Sequence, residues 1–315
     1  MVFKLVFCID NKEIQLRIAT ILVTALLCFG WQAVAEDGGW ISAVWTDDGN
    51  MLLTGAKYRG LTLVNHEDGT FNQITDQWKA GYRPDSHGEL LAFTYTEDFD
   101  MPSCLRVHNI KTGKDIDLSC LDVIVPSKFE SHGNLVFSNM EETFVMSTDG
   151  RLVDSFTGGA YIVLQVVNGF FWCDRNGRPW HRKDGKVSPV ELPVTEGFAF
   201  SPTVSDDGHY VLMEERGGAI ILYNVQTQNT HMLPDGDRPV FTEHGVLQLQ
   251  LADDGHTITD CSILYTPITD GVPGNSKYVL EDLWPLLVVQ IDFNPEHGLV
   301  MTTADGRVIE EVFYR

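Results

Sequence analysis

Seven short glycine turns recur at a period of about 40 residues, each joining two apolar β runs, and helical periodicity is almost absent after residue 40. Together these observations predict an all-β chain folded as a β-propeller of four-stranded antiparallel blades. Composition agrees: the 315 residues are 43% hydrophobic, 21% charged and 10% aromatic, the profile of a globular protein.

The repeats follow one another along the chain. The innermost hairpins are expected at residues 43–53, 86–91, 131–136, 167–171, 204–212, 243–247 and 296–300, turning at Gly49, Gly88, Gly133, Gly169, Gly208, Gly245 and Gly298. Several repeats carry a second hairpin, with turns at 66–69, 111–113, 148–150, 183–185 and 226–228. Asp-Gly and related pairs suit such turns because their residues tolerate left-handed backbone. Seven turns predict seven blades. Six is the alternative, because residues 299–309 resemble the outer hairpin at 144–153 and the last spacing is the longest. Ring closure is expected to set the start of the mature chain beside the C-terminal strands.

Residues 200–227, which include Phe200-Ser201-Pro202, Asp207-Gly208-His209-Tyr210-Val211-Leu212 and Ile221-Leu222-Tyr223-Asn224-Val225, resemble the repeat of TolB-like, WD-related propellers. Residues 105–114 match its second hairpin. The resemblance spans roughly residues 40–315 and is strongest in the second and fifth repeats. It implies a fold and no particular activity. TolB itself carries an α/β domain ahead of its propeller, and the short stretch between residue 35 and the first strand offers no counterpart.

The first 35 residues read as a signal peptide ahead of a single propeller domain at 36–315. Lys4, Lys12 and Arg17 precede an apolar stretch at 18–30, and Ala33 and Ala35 fit a signal-peptidase site with cleavage after Ala35. The alternative is a retained anchor, since 18–35 is near the lower limit for a membrane span. Lipid attachment at Cys28 is disfavoured by Leu27 before it. The expected location is periplasmic or secreted, with no membrane association once the leader is removed.

Export permits disulfides. Cys104 and Cys120 flank a hairpin turning near Thr112, which would set them opposite each other, so a Cys104–Cys120 bridge is expected. Cys173 and Cys261 have no assigned partner.

The formal charge of −22, from 22 Lys+Arg against 44 Asp+Glu, disfavours a nucleic-acid backbone as ligand. His87, His132, His244 and His297 each precede a turn glycine, and His209 and His256 follow one. They are read as turn residues spread around the ring and not as a metal centre. Oligogalacturonate-lyase-like propellers hold a metal with histidines near the channel mouth, yet none of the expected innermost strands here begins with His. No Gly-x-Ser-x-Gly nucleophile motif occurs. Neither metal nor cofactor is therefore expected.

The candidate binding surface is the set of loops joining second to third strands, which a propeller gathers on one face. It comprises Glu97, Asp98, Phe99 and Asp100, then Glu141 and Glu142, Glu214 and Glu215, and Asp253 and Asp254. The expected function is that of an exported, monomeric, non-catalytic propeller binding a protein or glycan, and a cationic partner would suit this face. The alternative is a carbohydrate-active enzyme, a lyase or glycosidase, at the channel mouth. A tight carboxylate cluster there would favour the enzyme, and a mouth lined by aromatics would favour binding.

Overall fold

The turn chemistry is local. In the stretches Thr46–Asn50, Ser147–Arg151, Ser205–Tyr210 and Thr303–Arg307, a Ser or Thr hydroxyl donates to the Asp two residues on, and a glycine N–H then donates back to the Ser or Thr carbonyl at 2.8–3.0 Å. Those glycines, 49, 150, 208 and 306, are left-handed with φ between 71° and 89°. Each such turn folds the chain on itself within five or six residues, so adjacent apolar runs pair as antiparallel strands.

The computed structural model describes residues 2–8, 39–98, 101–121, 128–160, 162–193, 198–253, 258–283 and 286–314. These form seven sheets, each one blade. Blade 1 comprises Trp40–Trp45, Met51–Gly55, Leu61–Val64 and Phe71–Thr75; blade 2 comprises Asp85–His87, Leu90–Tyr95, Ser103–Asn109 and Lys114–Leu121. Blade 3 holds Lys128–Phe129, Leu135–Ser138, Glu142–Met146 and Leu152–Thr157; blade 4 holds Val163–Val166, Gly169–Cys173, Pro179–Lys183 and Lys186–Pro189. Blade 5 runs Ala199–Val204, Tyr210–Glu215, Ala219–Asn224 and Thr230–Asp235. Neighbouring strands within these blades are antiparallel and consecutive in sequence.

Blades 6 and 7 depart from this plan. Blade 6 has Asp237–Thr242 followed by two long strands, Gly245–Asp253 and Ile258–Thr269. Both Val272–Pro273 and Lys277–Leu280 then pair with the second of these. Blade 7 has Val288–Asn294, Gly298–Thr303 and Val308–Tyr314, with Val2–Cys8 lying parallel against the last. Seven blades therefore replace the six-blade alternative. The hairpin within residues 299–309 joins the second and third strands of blade 7, so it is not an outer hairpin. The long final glycine spacing belongs to the extended strands of blade 6. All seven predicted glycines lie in innermost hairpins, at the turn itself or, as with Gly169, Gly245 and Gly298, as the first residue of the second strand.

The ring closes where blade 1 meets blade 7. Trp40 N–H donates to Gly306 O at 3.1 Å, and a Cβ built on Gly39 would lie 2.7 Å from Gly306 Cα. Only paired glycines let the two backbones approach so closely. The strand Val2–Cys8 falls within the expected leader, whose remaining residues 9–35, with the cleavage position, lie outside the described residues. Among the described residues, no helix is long and apolar enough to cross a membrane.

The core is a ring of apolar layers between blades. Leu52, Leu61, Leu91 and Phe93 join blades 1 and 2; Phe171, Met213, Ile221 and Tyr223 join blades 4 and 5; Leu249, Ile263, Leu299 and Ile309 join blades 6 and 7. The other neighbouring pairs carry similar clusters. Burial is thus shared among many equivalent seams, and the strand starts are left free to line a central channel.

Cys104 and Cys120 stand directly opposite on the third and fourth strands of blade 2, with Cα atoms 4.0 Å apart, and are joined by a disulfide. Cys173 and Cys261 are buried free thiols.

Candidate functional site

The innermost strands of all seven blades surround a channel of about 1260 Å³. Its two ends differ in chemistry. The upper mouth lies where the innermost strands begin, on the side of the second-to-third-strand loops. The lower end lies beside the innermost hairpin turns.

Among the described residues, three innermost strands carry a residue followed by proline at or near their start: Arg83-Pro84 just before the strand of blade 2, Ser201-Pro202 within that of blade 5 and Arg238-Pro239 within that of blade 6. All three leading residues have left-handed backbone, with φ of 53°, 46° and 51°. Non-glycine residues rarely adopt that region, and proline pushes its predecessor towards extended backbone, so these positions are strained. In blades 5 and 6 the register shifts across the same residues, forming bulges that re-aim the side chains.

All three residues line the channel. Arg83 Nη2 donates to Ser201 Oγ at 3.2 Å across the mouth. Burial holds the Arg83 guanidinium below its usual range, and the nearby Arg238 pushes the same way, while Tyr82, Glu214 and Tyr58 favour its charge. Burial likewise raises the Glu214 carboxyl, assisted by Asp237 and opposed by Arg238 and Arg83. Among the described residues, neither arginine has a carboxylate within ion-pair distance.

Aromatic rings flank the arginines. Tyr58 and Tyr82 meet edge to face at 4.9 Å, and Phe198 lies 6.2 Å from Phe200. Tyr58 and Phe200 are 44% and 38% exposed, so apolar surface is presented to whatever enters. A side pocket of about 290 Å³ opens beside Arg83, between Tyr82, Ile162, Phe198, Phe200 and Cys173. Burial pushes the Cys173 thiol far up, so it is a neutral wall of that pocket.

The lower end gathers acids. Asp85 accepts from Lys128 Nζ at 2.6 Å and from Phe129 N–H at 2.7 Å. Asp47 faces His87 Nδ1 at 3.6 Å, and its carboxyl is raised by burial first and by Asp85 next. Asp292 accepts from Trp45 N–H at 2.6 Å. Burial pushes its carboxyl up to about 6, although the Trp45 and Phe293 N–H groups and Lys128 draw it down; Asp85 raises it. His297 stacks on Trp45 at 5.1 Å and lies 4.5 Å from His66, which faces Glu310 at 3.3 Å. Two turn histidines therefore do meet, at the seam of blades 1 and 7. Among the described residues, no group of three or more His, Cys, Asp or Glu side chains is arranged to hold a metal ion.

The acidic loops lie in the second-to-third-strand connections, on the side of the upper mouth. Glu97 and Asp98 in blade 2 and Glu141 and Glu142 in blade 3 are exposed. Glu214 and Glu215 are buried: the first lines the channel, and the second accepts from Gly217 N–H at 2.6 Å. Asp253 ends the second strand of blade 6. Phe99, Asp100 and Asp254 lie outside the described residues. Sequence reasoning missed Arg83, Arg238, Ser201, Tyr58, Asp85 and Asp292. The recurring residue-proline pair was the available signal for the first three. The others converge only through the ring.

No protein-family model and no curated protein matches the chain. Solved structures do. A catalytically inactive virginiamycin B lyase from Staphylococcus aureus with quinupristin superposes with a TM-score of 0.62 at 13% identity, covering 87% of this chain and 95% of that one. The β-propeller domain of the trilobed protease from Pyrococcus furiosus, which has an open velcro topology, gives 0.58 at 11% identity, covering 84% and 88%. An acylaminoacyl peptidase gives 0.61 at 13% identity, covering 85% of this chain and 49% of that one. The chain thus shares the seven-bladed β-propeller fold of a lyase and of two peptidase propellers, and what the likeness shows is that fold.

Proposed function

We propose that this protein is an exported, non-catalytic propeller that binds a protein or glycan partner through its loop face and upper channel mouth. The observation that carries this reading is the composition of that mouth: exposed Tyr58 and Phe200, with Tyr82 and Phe198 beside them, around two arginines that, among the described residues, have no carboxylate within ion-pair distance. Aromatic rings and Arg are the side chains that most often anchor interfaces, because they offer large, rigid surface at small entropic cost.

The test is to screen purified protein on glycan and peptide arrays, with Tyr58→Ala and Phe200→Ala as controls. Retained ligands are expected, with affinity falling by about ten-fold or more in each variant. Retention unaffected by both substitutions would reject the mouth as the binding site.

A second reading has its own support at the lower end. Asp292 and Asp47 are raised while Asp85 is paired to Lys128. Neighbouring carboxyls whose surroundings push one up while the other is held by a lysine are the kind of pair that glycoside hydrolases use. Release of reducing ends or of unsaturated uronides from polysaccharides, abolished by Asp292→Asn, would favour that enzyme over the binding protein.

A further inference from the structure

We propose that the upper mouth captures the free C-terminal carboxylate of a polypeptide ending in an apolar residue, with Arg83 and Arg238 holding the carboxylate and the side pocket taking the last side chain. This rests on the binding reading above and narrows it to one ligand chemistry.

Three observations support it. The guanidiniums of Arg83 and Arg238, from blades 2 and 6, line the mouth together with Glu214, and the two arginines set two cations against Glu214 and the neighbouring Asp237. Arg83 is oriented by Ser201, from a third blade, leaving the rest of its fork unengaged by any described acid. Arg83 is half-buried in the channel, so an anion that reaches it offsets part of the cost of desolvating its charge, while Arg238 is exposed beside it. Strained backbone at Arg83, Ser201 and Arg238 persists where a site needs its side chains aimed, and the same residue-proline position is used in all three blades. An arginine fork matches a carboxylate bidentately.

The second observation concerns shape. The pocket beside Arg83 holds about 290 Å³ between Ile162, Phe198, Phe200 and Tyr82. The apolar part of this wall suits an apolar side chain, and Arg83, Ser201, Asp174 and Arg175 supply its polar edge. The nearby Asp174 is no obstacle to an anion, because its carboxylate already accepts from Trp180 Nε1 at 3.0 Å and from two backbone N–H groups.

The third is charge outside the mouth. Exposed Glu97, Asp98, Glu141 and Glu142 belong to loops on that side. A peptide that leaves the channel over an acidic rim fits best with basic residues upstream of its C terminus, whereas a polyuronide would meet that rim with like charge.

The experiment passes a pool of random hexapeptides with free C termini over immobilised protein, beside the same pool amidated. The free-acid pool should be retained about ten-fold or more over the amide, with apolar last residues enriched, and Arg83→Gln or Arg238→Gln should remove the preference. Benzoate, but not benzamide, should displace retained peptide from the unmodified protein, a readout that needs no variant to fold. Equal retention of acid and amide, or a preference that survives both arginine variants, overturns the proposal. So does arginine-dependent retention of uronic-acid oligomers in place of peptides. In each of those cases a ligand still lost in Tyr58→Ala and Phe200→Ala leaves the broader binding reading standing.

Discussion

At the scale of single residues, two positions show how a ring of sheets tolerates little error. Gly169 opens the second strand of blade 4 after left-handed Asn168, and a Cβ there would lie 1.7 Å from Arg182 O across the strand pair. Gly169→Ala should therefore destabilise the fold by about 2–4 kcal/mol, read from urea unfolding, because backbone and not a movable side chain is in the way. Glu311 is the second. It is 1% exposed, its Oε1 has no hydrogen-bond partner among the described residues, and burial pushes its carboxyl up to about 8. A raised carboxyl means that the folded state holds the proton more tightly than the unfolded chain, whose group titrates near its ordinary 4.5. Its contribution to stability is complete below that value and declines as pH rises towards about 8. Stability should therefore fall across this window by up to about 1.4 kcal/mol per pH unit. Glu311→Gln should flatten that slope. Unfolding free energies of the two proteins at pH 5, 6, 7 and 8 check it, and parallel curves would remove Glu311 from the account.

At the scale of elements, the outer hairpin of blade 2 is the best secured. Cys104–Cys120 links residues 16 apart in sequence, and two register positions further in Arg106 grips Asp117 through two hydrogen bonds of 2.7 and 3.0 Å while lying 4.2 Å over the Tyr95 ring. Replacing both cysteines by serine should cost about 2–4 kcal/mol, measured by chemical unfolding of oxidised wild type against the variant. Non-reducing peptide mapping of the purified protein should recover the 104–120 pair. This hairpin was legible in sequence because its determinants are local: two alternating runs and a Lys-Thr-Gly-Lys turn fix the register that sets the cysteines face to face. Blade 7 was not legible in the same way. Residues 299–309 carry the same turn chemistry as an outer hairpin, and only their pairing with Val288–Asn294 makes them the second and third strands. Local turn signals report that a hairpin forms, not which place it occupies in its sheet.

At the scale of the whole molecule, charge and closure matter most. The exposed acids Glu97, Asp98, Glu141 and Glu142 come from two adjacent blades. Each would contribute little alone, but a shared field steers an approaching cation. Changing all four to Gln or Asn should slow association of a polybasic peptide and weaken the dependence of its rate on salt, leaving dissociation less affected. Stopped-flow rates at low and high ionic strength decide this, and an unchanged association rate at both would make the rim a solubility feature.

The sequence by itself determined the β class, the period, the seven innermost turns and the Cys104–Cys120 register, since each depends on residues close together in the chain. Only the tertiary structure decided the channel: that Arg83, Ser201 and Arg238 converge at one mouth, that Asp47, Asp85 and Asp292 gather at the other end, and that Glu214 and Glu215 are buried and not on the rim. The physical reason is circular closure. A propeller brings equivalent positions of every blade to one axis, so residues more than 100 positions apart become neighbours through the ring and through no local pattern.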